Sequence, residues 1–501
     1  DWLSDSVGRG PSGLAPAEPP AVPGIIVDDI SVTPLDATRA DAAGIVPARV
    51  AGLPADLWGN SDTATLVRLI ARERLDPVPA LRDLFVTILM AELDPPADSD
   101  GSGRLLLARI DKLLELAALD AAAELITAAG MSGPEIFRRR FDIALLTGTE
   151  DDACAELNRA PGMSPTFPAR IYCLVRAGDW QAAALTLRTA QALGHISDEE
   201  DALLSRFLDP ELAEDAPPLP PPPRTSPLVL RIYEAIGEPL STTGLPLAFA
   251  HAELQPIFGW KPRIEAGERL VRAGALSPNV LQALYTERLR AASGGVWERV
   301  EAYQRFDTAL AAGDPGAVAA ALPRVWEQLR GAELEVPLAE LHAEALMRLP
   351  LRDEAAVIAF RLALLSPFHE TAALAEVPPG ADHAFLAGLA RGELAGIPAP
   401  DSLSRIIATA FAPLPLPPGS AGGGAVPGAQ LPPEGLAPGY AQLLADGRMG
   451  EALLAAMERI AEGATGDRRG VSEGLALLRH LGLESTARRA ALQLLILDRR
   501  G

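Results

Sequence analysis

Ala169-Arg-Ile-Tyr-Cys-Leu-Val-Arg-Ala-Gly-Asp-Trp-Gln-Ala-Ala-Ala-Leu-Thr-Leu-Arg-Thr-Ala-Gln-Ala-Leu-Gly194 is the stretch that decides the fold. Apolar residues recur at helical spacing on both sides of Gly178. Gly178 can take the left-handed conformation that ends one helix, and the polar residues after it can open the next. Ala183, five residues beyond the glycine, is small enough to let two antiparallel helices approach closely. The same offset recurs in Gly148-Thr-Glu-Asp-Asp-Ala153, Gly313-Asp-Pro-Gly-Ala-Val318, Gly447-Arg-Met-Gly-Glu-Ala452 and Gly482-Leu-Glu-Ser-Thr-Ala487. Weaker copies run through Leu116-Ala-Ala-Leu-Asp-Ala-Ala-Ala-Glu-Leu-Ile126 and Pro350-Leu-Arg-Asp-Glu-Ala355. Each predicts a helical hairpin.

These hairpins are spaced for stacking. Gly148 and Gly178 are 30 residues apart, Gly313 and Pro350 are 37 apart, and Gly447 and Gly482 are 35 apart. On these residues the chain resembles the tetratricopeptide family, whose repeat is about 34 residues of paired helices. Ala169–Gly194 is the best copy, with Trp180 in the Gly-Asp-aromatic turn and an Ala-rich second helix. The resemblance implies an all-α fold, a TPR-like α-solenoid of antiparallel helical hairpins. Such arrays bury a continuous core between neighbours and present extended surfaces, which implies protein or peptide binding rather than chemistry.

Working outward, residues 1–57 read as an extended, Pro-rich N-terminal arm. Gly24-Ile-Ile-Val-Asp-Asp-Ile-Ser-Val-Thr-Pro34 has the β-branched content of one short strand. Residues 43–58 carry too many apolar groups for a solvated linker, so they either lie along the helical body or bind a partner. The candidate partner-binding residues are Ile25, Val27, Ile30, Val32, Leu57 and Trp58. Helical periodicity begins after Ser61, the predicted N-cap, and gives a repeat block over 58–212. Pro217-Pro-Leu-Pro-Pro-Pro-Pro223 lies in a linker, 213–227, that reads as a semi-rigid strut. A second repeat block spans 228–411, a Pro/Gly linker 412–438, and C-terminal helical hairpins 439–501.

The chain has 501 residues, 44 Lys+Arg against 66 Asp+Glu and a net charge of −22. Its 48% hydrophobic and 22% charged residues are those of a folded protein. The acidic balance argues against nucleic acid as a partner, since the densest basic cluster is the short Arg138-Arg139-Arg140. Lys112 and Lys261 are the only lysines, and neither stands in a phosphate-binding loop or a Ser-x-x-Lys motif. The chain begins at Asp1 rather than Met, which a cleaved secretory signal would explain, as would a trimmed chain. No apolar run reaches the about 18 residues of a membrane span. Cys154 and Cys173 fall on neighbouring hairpins, where either two buried thiols, the simpler reading, or a disulfide is open.

Tests for chemistry return little. Asp98-Ser-Asp-Gly-Ser-Gly103 resembles the start of a calcium loop, but its twelfth position is Arg109 where a bidentate Glu is needed. The closest histidines, His369 and His383, flank a Pro-Pro-Gly turn and lack the spacing of a helical metal site. His342 reads as a surface histidine, and His195 as a helix-end cap. The tryptophans are scattered and read mainly as packing residues. No catalytic, cofactor-binding or metal-binding residue is assigned, and no cofactor is expected.

The sequence therefore points to a non-enzymatic protein–protein interaction scaffold or assembly factor of a bacterial envelope complex, periplasmic or secreted, with a cytoplasmic location as the alternative. Two other readings stay open. One is an envelope glycan-processing enzyme or remnant resembling the superhelical part of lytic transglycosylases; the other is a periplasmic chaperone or motility accessory factor. The structural turn residues of the repeat are Gly148, Gly178, Trp180, Ala183, Gly313, Gly447 and Gly482.

Overall fold

A left-handed backbone ends a helix at each glycine turn of the computed structural model, with φ of 77° at Gly148, 81° at Gly178, 64° at Gly313, 73° at Gly447 and 80° at Gly482. Five residues on, Ala153, Ala183, Val318, Ala452 and Ala487 are all buried. The weaker copies manage the turn without glycine. Ala117 stands at φ 59° with Ala122 buried five residues later, and Asp353 at φ 51° precedes buried Ala355. The structure describes residues 40–209, 211, 217–290, 292–412 and 436–497.

The described chain is all-α, an array of helices packed as antiparallel hairpins. In order these are α1 (Ala48–Ala51), α2 (Thr63–Arg72), α3 (Pro79–Met90), α4 (Arg104–Glu115), α5 (Leu119–Ala129), α6 (Pro134–Thr147), α7 (Glu150–Arg159), α8 (Phe167–Arg176), α9 (Trp180–Ala192) and α10 (Asp198–Leu208). They continue with α11 (Pro227–Ala235), α12 (Ala250–Glu253), α13 (Trp260–Arg272), α14 (Pro278–Thr286), α15 (Val296–Ala311), α16 (Pro315–Arg330), α17 (Glu335–Met347) and α18 (Asp353–Leu365). The last are α19 (His369–Leu374), α20 (Ala381–Arg391), α21 (Ser402–Ala410), α22 (Pro438–Ala445), α23 (Met449–Ala464), α24 (Val471–His480) and α25 (Glu484–Ile496). Among the described residues the strands are β1 (Val46–Pro47) and β2 (Ala91–Glu92), which pair in parallel.

Contacts divide the chain into two units: one holds the described part of 126–255, and the other joins 40–125 to 256–497. In the first unit α6 packs on α7, α7 on α8, α8 on α9 and α9 on α10, while α11 returns to both α6 and α10. In the second, α15 pairs with α16, α17 with α18 and α23 with α24. There the N-terminal helices meet the C-terminal ones: α2 packs on α23 and α3 on α25. Arg72 reaches Glu458 at 2.7 Å, and the Ala80 N–H donates to Gln493 Oε1 at 2.7 Å.

Local sequence explains the details. Asp62, not Ser61, caps α2: its Oδ1 accepts from the Thr65 N–H at 2.9 Å, while Ser61 is buried one residue earlier. The shorter hydroxyl loses to a carboxylate, the stronger acceptor at a helix N-terminus. The tract 217–223 is pinned rather than free. Arg206 Nη2 donates to the Pro217 carbonyl at 2.7 Å, Tyr233 Oη to the Pro220 carbonyl at 2.8 Å, and the Leu219 N–H to Glu238 Oε2 at 2.8 Å. Proline carbonyls keep their acceptor strength although the ring nitrogens donate nothing. Residues 213–216 and 413–435 of the two linkers lie outside the described residues.

Candidate functional site

The best repeat copy is the most strongly braced. Cys154 on α7 and Cys173 on α8 are bonded to each other, with their Cα atoms 4.9 Å apart. The reading as two thiols is thereby corrected: α7 and α8 pack face to face, and both cysteines sit in one buried cluster with Leu157, Ala169 and Ala183. Around the bond, Tyr172 Oη donates to Glu150 Oε1 at 3.2 Å, and Arg176 pairs with Glu150 at 3.4 Å and with Asp151.

The braced pair carries α9 on its flank. Asp179 Oδ1 caps α9 by accepting from the Ala182 N–H at 3.0 Å, and the buried stripe is Ala183, Leu187 and Ala190. Trp180 does not join it. It is 48% exposed, and Leu185 on the same helix and Leu193 just past its end are 67% and 59% exposed. The sequence held this signal: with Ala183, Leu187 and Ala190 defining the inward stripe at helical spacing, Leu185 falls on the opposite side. At the C-terminal end of α9, Gln191 bonds to Asp201 in the first turn of α10, beside Asp198, Glu199 and Glu200. Arg138, Arg139 and Arg140 are drawn into ion pairs within this unit, the first two with Glu135 and the third with Glu156.

In the second unit the end of the arm is built into the core. Leu57 and Trp58 are 1% and 0% exposed. Gly450 leaves the indole its space, since a Cβ there would stand 2.6 Å from Trp58 Cζ-side carbon Cε3. The Gly450 N–H donates to the Leu57 carbonyl at 2.8 Å, and the Asn60 N–H to the Gly447 carbonyl at 3.0 Å. Thus the Gly447 turn is a docking point for residues 57–60. Leu57 and Trp58 offer no surface to a partner, which corrects their reading as partner-binding residues. Ile25, Val27, Ile30 and Val32 lie outside the described residues.

Sequence reasoning missed the residue that holds this region, Arg109. Fully buried, its Nε donates to the Leu89 carbonyl at 2.7 Å, Nη1 to Ala43 at 2.7 Å and Nη2 to Ala91 at 2.8 Å. Asp41 stands beside it, accepting from Ser99 Oγ at 2.6 Å and the Leu106 N–H at 3.0 Å. Burial lowers the Arg109 pKa to about 10, against the Asp41 charge, which raises it. The calcium-like loop is spent on structure as well. Asp98 accepts from the Thr63 N–H at 2.9 Å and from its hydroxyl at 2.7 Å, and Asp100 from the Ser102 N–H at 2.9 Å.

His342, His383 and His195 are similarly occupied, whereas His369 is buried with both ring nitrogens unpartnered among the described residues. His342 is buried rather than exposed, 2.8 Å from Tyr303 Oη, and burial pushes its pKa down to about 4. Helix α17 turns this residue inward between Tyr303 and Phe306. His383 Nδ1 lies 3.3 Å from the Pro379 carbonyl, while Glu370 pairs with Arg488. His195 stacks on Phe167. The tryptophans are less scattered than their spacing implied, with the Trp260 and Trp297 rings 5.0 Å apart. Among the described residues, no His/Cys/Asp/Glu group is arranged to hold a metal ion and no helix is long and apolar enough to cross a membrane.

One titrating group stands out at the end of α2. Glu73 is 4% exposed with Oε2 unpartnered; burial first, and Glu458 second, push its carboxyl up to about 8 against the opposing pull of Lys112 and Arg72. The folded value lies above the unfolded one, so the folded chain binds an extra proton between about pH 4.5 and 8 and stability is lost as pH rises through that window. Glu73→Gln mimics the protonated acid. It is expected to raise the unfolding free energy at pH 8 by on the order of 2–4 kcal/mol, with little change at pH 5, in urea titrations at the two values.

Comparison with known proteins closes the description of the site: no family model, no curated protein and no solved structure matches this chain.

Proposed function

We propose that the chain is a non-enzymatic scaffold or assembly factor of a bacterial envelope complex, exported to the periplasm and built from TPR-like repeats. The observation that carries this reading is the exposure of large apolar side chains along α9 and at its end. Trp180 and Leu185 on α9 and Leu193 at its C-terminal cap supply three of the large apolar side chains left to solvent among the described residues, beside a disulfide-braced pair. Exposed apolar groups gathered on a rigid element mark a protein contact more often than a solvated surface does. The Cys154–Cys173 bond supports export, because such bonds persist in oxidising compartments. The charge of −22 keeps the large helical surface soluble.

The test uses the full chain as bait against a solubilised envelope fraction, beside a Trp180→Ala/Leu185→Glu variant. The expected result is one stoichiometric partner retained by the parent and lost by the variant at unchanged melting temperature. Equal retention by both, or turnover of peptidoglycan by the purified chain alone, would replace this reading.

A further inference from the structure

The second unit contains a cleft of about 260 Å³ between the first turn of α3, the turn from α13 to α14 and the start of α17. Arg82, 7% exposed, lies in its wall against Gly274. Gly274 has φ +66°, and a Cβ there would come within 2.3 Å of Arg82 Nη2, so the absent side chain leaves the room that the guanidinium occupies. Arg82 Nη1 donates to the Arg272 carbonyl at 3.0 Å. Nη2 is 3.5 Å from Asp83 Oδ1, too long and loose for a strong bond, and the other Asp83 oxygen accepts from Arg489 Nη2 at 3.2 Å. Nε donates to no acceptor among the described residues.

A buried guanidinium with spare donors is matched to a carboxylate, which can accept two of its N–H groups in one plane. In the same lining, Glu340 of α17 is exposed, and among the described residues its carboxylate has neither a hydrogen bond nor an ion pair. The cleft therefore offers a guanidinium whose Nε is unused and whose Nη2 has only the long contact to Asp83, together with a carboxylate that makes no hydrogen bond or ion pair among the described residues. Its volume is below the roughly 300–1,000 Å³ of sites for drug-sized ligands. We propose that this cleft binds a small zwitterion of the α-amino-acid class, its carboxylate on Arg82 and its ammonium group on Glu340.

Isothermal titration calorimetry of the full chain with L-alanine tests the site, with propionate and ethylammonium as controls that each carry one of the two charges. One saturable site for L-alanine is expected, with both controls at least tenfold weaker. Glu340→Gln, at an exposed position, is expected to weaken L-alanine at least tenfold without moving the melting temperature. Absence of saturable heat with L-alanine, equal binding of either control, or unchanged affinity in Glu340→Gln would overturn the proposal.

Discussion

Arg109→Met is expected to lower the unfolding free energy by about 3–5 kcal/mol, the range found when one partner of a buried charged network is removed. The side chain reaches three carbonyls on separate segments, Leu89 at the end of α3, Ala91 in β2 and Ala43 before β1. Methionine fills much of the volume but donates nothing, so those acceptors stay buried without their donor and the Asp41 carboxylate loses the neighbouring positive charge. Arg109→Lys should recover only part of the loss, because one ammonium cannot span carbonyls that the planar fork reaches together. Urea titration of the three proteins checks the order: parent, then lysine, then methionine. A methionine variant within about 1 kcal/mol of the parent would mean that Arg109 does not hold these segments.

Trp58→Ala is the second large effect, also expected at about 3–5 kcal/mol, since it empties the space of a fully buried indole and leaves a cavity beside α23. Gly450→Val approaches the same contact from the other side, because its Cβ would begin 2.6 Å from the ring. The two changes should not add: once the indole is gone, the valine has room, so the double variant is expected to be more stable than the sum of the single losses implies. Thermal unfolding of the two single variants and the pair checks this. Simple additivity would show that Trp58 and Gly450 are not in contact.

The hairpins were the legible part of the molecule because their signal is local. A glycine at Gly148 or Gly447 and a compact residue five positions later lie within one turn and the helix that follows, where backbone freedom and close approach act together. Ala117 shows the limit of that code: it takes the left-handed backbone at φ 59° although an alanine rarely does, in a turn closed by the Ala117 N–H on the Leu114 carbonyl and the Ala118 N–H on the Leu113 carbonyl. What was not legible is long-range. Nothing near Trp58 announces Gly450, and nothing near Arg109 announces the carbonyls of Ala43 and Ala91. The Pro-rich joints were read as divisions of the chain, whereas contacts divide it near residues 125 and 255, because carbonyls of the tract are taken by Arg206 and Tyr233 of the helices around it. The exposed apolar residues of α9 are legible in part: the phase of Leu185 marks it as outward, whereas Trp180 sits in the family-like turn pattern at the start of the helix, near the phase of the inward stripe.

We propose an exported scaffold, braced by the Cys154–Cys173 bond, whose work is to hold another protein. Native mass spectrometry of the chain isolated from an envelope fraction, with thiols blocked at lysis, tests it most directly. The account predicts a complex of fixed stoichiometry with Cys154 and Cys173 unlabelled and joined. A chain recovered alone, with both cysteines carrying the blocking reagent, would contradict it.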